Sequence, residues 1–442
     1  MRNLRYISRL IWAFLTRFKA IIGIGIILGI IIFLIIDLVF PVFLSSDTQR
    51  IGVAGRFNVN TLPANILNKI SSGLTKLDDA GNVLPDLAES WSTPDNGKTW
   101  VFKLKKDVVW QDGTNLLSKD VNYQFSDATI AHPDDQTVVF GLQNPYSAFP
   151  TVVVKPIFKA GLLGTNEWKV KHLNIVSDFV NQITLEDKNK NKIVYKFYPN
   201  EENVKLAFQL GQIDSVVELF DPSPLDKWPK AKVITNTNKG EFVAVFFNTT
   251  DKLLADKTLR QALSYATKKD NLGEERAIGP VSSTSWAFNP QVKQYNYDPA
   301  KAKTMIDSLS TEMKSDLSIT LTTSPLLLSK AELIQKDWEA VGIKARVQVV
   351  SNIPSNYQAM VAIFDVPDDP DQYSMWHSTQ TQTNITHYSN PRIDKLLEDG
   401  RTSLDPLQRK QIYYDFQRFL LEDIPTLFLY YPTIYTINRN SI

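Results

Sequence analysis

Residues 20–44 constrain this chain more than any other stretch, because they are apolar throughout except for Asp37. A run of this length supplies the roughly 20 residues that a helix needs to cross the hydrocarbon core of a bilayer. Isoleucine falls on every face of such a helix, so a buried soluble helix would need protein wrapped all the way around it. Arg2, Arg5, Arg9, Arg17 and Lys19 precede the run with no acidic residue among them. That bias keeps the N-terminus in the cytoplasm and sends everything after about Ser45 outside. A cleaved signal peptide has the same order of basic and apolar regions. Against it, the run is long for a signal core, no A-x-A site follows, and no cysteine is present to carry a lipid. The reading is a cytoplasmic basic segment at 1–19, an uncleaved single-pass transmembrane anchor at 20–44, and an extracytoplasmic body.

That body is expected to fold in water. The chain has 442 residues, 43% hydrophobic and 21% charged, the balance of an ordinary globular protein. It is too long for one hydrophobic core, which predicts two or three domains. Lys plus Arg number 48 against 47 Asp plus Glu, so no global positive field draws phosphate backbones, and no nucleic-acid partner is expected. The absence of cysteine removes disulfides, thiol catalysis and thiolate metal sites.

After residue 47 strand-like and helix-like patterns alternate without repeats or low-complexity linkers. In 97–114, GKTWVFKLKKDVVWQDGT, Trp100, Phe102 and Leu104 alternate with Val101, Lys103 and Lys105, the period of a half-buried strand, and Asp112-Gly113 is turn chemistry. Further strands are expected at 49–53, 138–142, 151–154, 192–198, 242–247 and 344–350. Asp256 is placed to cap a helix with an apolar stripe at Leu259, Leu263 and Ala266. Asp405-Pro406, with Gln408 three residues after the cap, starts a second helix bearing Ile412, Phe416, Phe419 and Leu420 and stopped by Pro425. Others are expected from Pro391 and from Lys330 to Gly342. The fold class is mixed α/β with separate lobes.

Catalytic patterns are scarce. His132, His172, His377 and His387 are the only histidines, none in H-E-x-x-H, and the sequence has no G-x-S-x-G, Walker A or G-x-G-x-x-G motif. No catalytic residue, cofactor or metal site is expected, and His377 and His387 are read as surface residues. One segment stands out: FDVPDDPDQYSMWH, 364–377, sets Asp365, Asp368, Asp369 and Asp371 beside Tyr373, Trp376 and His377 in a proline-rich loop. It reads either as a solvated acidic loop with core aromatics behind it, or as a cleft that holds a cation or ammonium through charge pairing and cation–π contact.

Residues 73–121 carry G-L, P-x-L-A-x-S-W, W-x-F-x-L-K and W-x-D-G-T elements in order. Asn60-Thr61-Leu62 precedes them, and Gly164-Thr165 with Trp168-Lys169-Val170, Gly211-Gln212-Ile213-Asp214, Phe247-Asn248, Leu259-Arg260-Gln261-Ala262-Leu263, Asp369-Pro370-Asp371, Tyr388-Ser389-Asn390-Pro391 with Asp394, and Tyr430-Tyr431-Pro432 follow along the rest of the chain. This ordered set resembles the extracellular solute-binding proteins of ABC importers, in the cluster with oligopeptide-, dipeptide- and nickel-binding members.

The resemblance implies a periplasmic-binding-protein-like clamp of two lobes and an additional small domain, closing on a ligand between the lobes. It divides the chain into lobe I at 48–250 with a small domain inserted at about 71–150, lobe II at 251–424, and a return to lobe I at 425–442. It implies an extracytoplasmic component that captures short peptides and passes them to an ABC permease served by ATPase subunits, with the lipid bilayer as a further partner through residues 20–44. An anchored sensory receptor, or a binder of a nickel complex or a sugar, is the alternative. The family pairs the peptide ammonium with an Asp just before its D-P segment. Asp365 is the position that matches, one residue farther from Pro370 than usual and without the preceding Gly-Trp, with Asp368 or Asp369 as substitutes. Ala362, Ile363 and Phe364 would then supply backbone groups, and Tyr373 and Trp376 the walls.

Overall fold

In a computed structural model of the chain, the described residues are 48–352, 354 and 356–439, with isolated positions at 12, 17, 18 and 29. The expected anchor at 20–44 lies outside them apart from Gly29. Among the described residues no helix is long and apolar enough to cross a membrane.

The first of the larger sheets has seven strands in the order Ala231–Thr237, Thr433–Arg439, Ser215–Leu219, Thr48–Ala54, Lys192–Tyr198, Phe179–Glu186 and Lys169–Val176. Its central strand, Thr48–Ala54, runs parallel to both neighbours. Val53, Ile183, Leu185 and Phe197 form one core with Ile66 and Ile70 of helix Ala64–Ile70. Val216 and Leu219 form another with Val204 and Phe208 of helix Glu201–Gln209.

The second sheet has six strands, Glu275–Arg276, Thr426–Tyr431, Glu241–Phe247, Ala359–Asp365, Ser318–Thr323 and Lys344–Val349. Its strand Glu241–Phe247 is buried on both faces, which is why residues 242–247 read as a continuous apolar run. Val243, Val245 and Phe247 join a core with Leu259, Leu263 and Trp338, whereas Phe242, Ala244 and Phe246 join one with Trp376, Tyr413, Phe416 and Leu420. The covering helices start where their caps predict. Asp256 accepts from the Leu259 N–H at 2.9 Å to open Lys257–Ala266, and Asp405 accepts from the Gln408 N–H at 2.7 Å to open Pro406–Asp423. The latter ends on Ile424 in the left-handed region, φ 42°, just before Pro425.

A four-stranded antiparallel sheet, Ala88–Ser92, Thr99–Leu104, Thr137–Leu142 and Ala128–Asp134, makes the small unit. Trp100, Phe102 and Leu104 point into its core with Phe140 and Phe149. The 110–114 turn is fastened locally, Asp112 accepting from the Thr114 N–H and hydroxyl at 2.9 and 2.6 Å. Gln111 then bridges to the first sheet, donating to the carbonyls of Asn166 and Trp168 at 2.7 and 2.9 Å. The W-x-D-G-T element is therefore a joint between units.

Two sequence expectations change here. Residues 151–154 are not a strand: Phe149–Val152 is a single helical turn, because Pro150 favours a helix start and Val153 is fully buried in the small unit's core. Strands Glu241–Phe247 and Thr426–Tyr431, given to lobe I by the sequence division, hydrogen-bond within the second sheet. The chain thus crosses between the two large sheets at residues 238–240 and again at Pro432, and the Asn238 N–H donates to the Pro432 carbonyl at 2.9 Å, tying the crossings together.

Candidate functional site

A cleft opens beside these crossings. Its largest cavity, about 1010 Å³, is lined on one side by residues that follow the central strand of the first sheet, among them Val59, Asn60 and Ser72, and on the other by Pro367, Asp368, Asp369 and Asp371. Asn58 rigidifies the first wall: its side-chain oxygen accepts from the Asn60 and Thr61 N–H groups at 2.9 and 3.1 Å, while Thr61 accepts from the Asn58 N–H at 3.0 Å.

The acidic segment is a held structure. Asp369 is 7% exposed and receives Arg409 through two bonds, Nη1 at 2.8 Å and Nη2 at 2.5 Å, and the Arg409 Nε donates to the Gly400 carbonyl at 2.9 Å. The Asp369 charge holds the Arg409 guanidinium above its ordinary value despite burial. Asp371 pairs with Arg401 at 3.2 Å; burial pushes its carboxyl up, opposed by Arg401. Asp368 has no such partner among the described residues, and burial, reinforced by Asp369, raises its carboxyl.

Arg401 spans the two sides. Its guanidinium lies 4.8 Å from the Tyr146 ring of the small unit and 4.5 Å from Tyr373. Ser147 next door donates its N–H to the Arg401 carbonyl at 2.7 Å and its hydroxyl to the Gly400 carbonyl at 3.2 Å. Tyr373, Tyr146 and Arg401 also line a second cavity of about 540 Å³.

At the crossings, Asp365 ends its strand directly opposite Glu241. Asp365 is exposed, whereas one Glu241 carboxylate oxygen is buried with no hydrogen-bond partner among the described residues. Burial first, then the charges of Asp365 and Glu218, push the Glu241 carboxyl above the usual carboxylate range. Two adjacent strands part here. Pairing of Ala359–Asp365 with Glu241–Phe247 runs to Asp365, but pairing with Ser318–Thr323 stops at Val361. One backbone edge of residues 362–365 therefore has no strand beside it among the described residues. A third cavity, about 380 Å³, adjoins this end of the sheet, lined by Ile363, Val243, Tyr430, Lys330 and Leu326.

The residues singled out in sequence are thus distributed. Asp365 stands at the crossing, Asp368 and Asp369 line the main cavity, Ile363 lines the third cavity and Tyr373 the second. Ala362 and Phe364 pack against the second sheet's core, Phe364 stacking 5.9 Å from Phe242. Trp376 is 1% exposed and donates to the Gln372 side chain at 2.8 Å, inside the core behind the loop. His377, read as a surface residue, is 4% exposed, stacked 4.0 Å from Tyr373 and within 2.8 Å of the Thr379 hydroxyl; the helical turn Tyr373–Trp376 carries it inward. His387 is exposed. Glu241, Glu218, Tyr146, Arg401 and Lys330 carry no site signal of their own in the sequence; Lys330 reads there only as the start of a helix. For Glu241, the signal available was its position just after Lys239-Gly240 at the head of an apolar strand, but its partner across the ladder is set by register.

The family model for bacterial extracellular solute-binding proteins, family 5 (middle region), matches residues 82–384. The chain is similar to the oligopeptide-binding protein AppA of Bacillus subtilis, 24% identical over 453 residues that cover 85% of this chain and 83% of that protein. Its fold is that of the solved structure of AppA in complex with a nonapeptide, TM-score 0.68 at 24% identity, covering 89% of this chain and 95% of that one. The ABC transporter substrate-binding protein CtaP from Listeria monocytogenes superposes with TM-score 0.75 at 21% identity, covering 89% and 94%. A mixed α/β clamp, the ordered motifs and a family match over more than half of the chain agree: the protein belongs to the bacterial extracellular solute-binding proteins of family 5.

Proposed function

We propose that this protein captures short peptides by closing its two lobes over the cleft and delivers them to the membrane permease of an ABC importer, without turnover of its own. The observation that carries this reading is the backbone edge at 362–365, which has no strand beside it and ends at a carboxylate pair. An extended peptide can add itself to such an edge through main-chain hydrogen bonds, which bind without reading sequence. Its ammonium would then meet Asp365 and Glu241, in a setting where burial has already raised the Glu241 carboxyl. A cation there relieves the repulsion between the two carboxylates and gives the buried Glu241 oxygen a donor. The cavities on either side leave room for side chains of different sizes. The oligopeptide-binding name and nonapeptide complex of AppA support the same class of ligand.

In this reading the first sheet is the core of lobe I, the four-stranded sheet is the small inserted domain and the second sheet is lobe II. Residues 20–44 form a single-pass anchor with the N-terminus in the cytoplasm, which keeps the receptor near its permease by raising effective concentration.

The test is calorimetric titration of the full chain with a tripeptide and with its N-acetylated form. Asp365→Asn should weaken the free-amine peptide by on the order of 30-fold or more, the effect of removing one member of a charge pair that lobe closure desolvates, and should leave the acetylated peptide nearly unchanged. Equal effects on both peptides would remove Asp365 from ammonium recognition, and failure of the unaltered protein to take up any peptide would overturn the peptide reading itself.

A further inference from the structure

We propose that the lysine-rich end of the first sheet rests on anionic lipid headgroups, with the cleft turned away from the bilayer. This rests on the reading of residues 20–44 as an anchor. Strand register defines the surface. Thr48, where the described body begins, lies opposite Lys192, which lies opposite Glu186. On the other side Ile51 lies opposite Ser215, Ser215 opposite Asn438, and Asn438 opposite Lys232. Lys171, Lys188, Lys190, Lys192, Lys230 and Lys232 therefore gather at one end of the sheet, the end from which the chain leads back to residue 44.

Their charge is only partly compensated. Four carboxylates among the described residues, Glu167, Glu186, Asp187 and Asp214, share this end, and Asp214 is held by Arg50 at 2.6 Å. Glu186 is buried and already held by Lys171, Lys190 and Lys192 at 3.1, 3.7 and 3.9 Å. The side chains of Lys188 and Lys190 are 79% and 75% exposed at the turn 187–191. The opposite end has the reverse sign: Glu201, Glu202 and Asp221 surround the buried Lys205 at 3.7, 3.4 and 3.6 Å, and Asp178 and Glu218 stand there against one further cation among the described residues, Arg56, whose guanidinium lies over the Phe179 ring. In a chain of net charge +1 this polarity is one of distribution.

Distance supplies the partner. Between the apolar run and Thr48 lie only Ser45, Ser46 and Asp47, a reach of about 11 Å when fully extended. That is close to the screening length of physiological salt, about 8 Å, so these lysines sit within the field of an anionic leaflet, which attracts juxtamembrane lysines. The main cavity is reached beyond Ala54, at the other end of the same strand, and so faces away from the lipid. This is a posture for loading ligand from outside. Delivery to a permease would require the body to tip off the lysine contact.

The chain has no cysteine, so Asn189→Cys at the lysine end and Ser177→Cys at the opposite hairpin turn each give one site for a fluorophore. The full-length protein would be placed in nanodiscs of phosphatidylcholine, with or without a third of phosphatidylglycerol, carrying a headgroup-attached quencher. The expected result is loss of more than half the signal at position 189 in the anionic discs, little loss at 177, and weaker loss at 189 in neutral discs or after Lys188→Gln with Lys190→Gln. Equal quenching at 189 and 177 in a protein that co-elutes with the discs would overturn the posture, and equal quenching at 189 in both lipids would overturn the role of charge. A protein that does not co-elute with discs would instead overturn the anchor reading, and the proposal with it.

Discussion

Arg409→Met would show how strongly the acidic segment is held at the cleft. Arg409 and Asp369 are 8% and 7% exposed and share two bonds, and the same guanidinium also bonds the Gly400 carbonyl at 2.9 Å and the Tyr413 hydroxyl at 3.3 Å. Methionine keeps the length and apolar stem, so the main loss is the charge and its donors. An uncompensated buried Asp369 then costs about 3–5 kcal/mol. At about 2–4 °C per kcal/mol for a unit of this size, the second lobe's melting transition should fall by roughly 6–20 °C in differential scanning calorimetry. Asp369→Leu alone should cost a similar amount by stranding Arg409. The double variant Arg409→Met with Asp369→Leu should recover most of the loss, because a well-packed apolar pair can replace a buried ion pair at little cost. A single-variant shift below about 2 °C, or a double variant no better than the sum of the singles, would refute the claim that the pair is desolvated and mutually compensating.

Three other outcomes follow from the geometry. Arg401→Ala removes the ion pair to Asp371 and the contacts with Tyr146 and Tyr373; at about 0.5–1 kcal/mol per cation–π contact, peptide affinity measured by calorimetry should drop several-fold, and an unchanged affinity would mean the contact does not assist closure. Gly164→Ala would drive a Cβ into the Ile70 carbonyl and to 2.8 Å from the Ser71 Cβ, and should lower stability by about 1–3 kcal/mol, whereas unchanged melting would show that the 70–71 backbone yields freely. Because the Glu241 carboxyl is raised and an ammonium favours its ionised form, affinity for a free-amine peptide should weaken as pH falls through that raised value. Glu241→Gln should flatten the profile, and an identical profile in both proteins would place the proton elsewhere.

Local signals in the sequence were good guides to local structure. Asp256 and Asp405 cap because an N-cap needs only a side-chain oxygen and the next turn, and Trp100, Phe102 and Leu104 alternate because a strand alternates. The β-branched run at 151–154 misled because Pro150 and burial of Val153 outweighed propensity. The acidic segment shows the limit more sharply. Four aspartates stood out, but their roles are set by distant partners: Asp369 by Arg409, Asp371 by Arg401, Asp365 by the register that brings it to Glu241. No spacing rule reports those pairings, so a buried ion pair and a free carboxylate looked alike. Aromatics beside acids suggest a cleft wall, yet a single helical turn rotates Trp376 into the core.

The double crossing between the large sheets bears on how the chain can be completed. Ser215 and Asn438 are 223 positions apart yet share a hydrogen bond in the first sheet. Strand Thr433–Arg439 sits between Ser215–Leu219 and Ala231–Thr237, so Ala231–Thr237 has no place in that sheet until Thr433–Arg439 has been made. The second sheet, which begins later in the chain, has its last strand at Thr426–Tyr431, whereas the first takes its last from Thr433–Arg439. The first sheet therefore encloses the whole second sheet in sequence, so the neighbour of Ser215–Leu219 and of Ala231–Thr237 comes from the far end of the intervening lobe, and losing that one strand would strip two others of a partner.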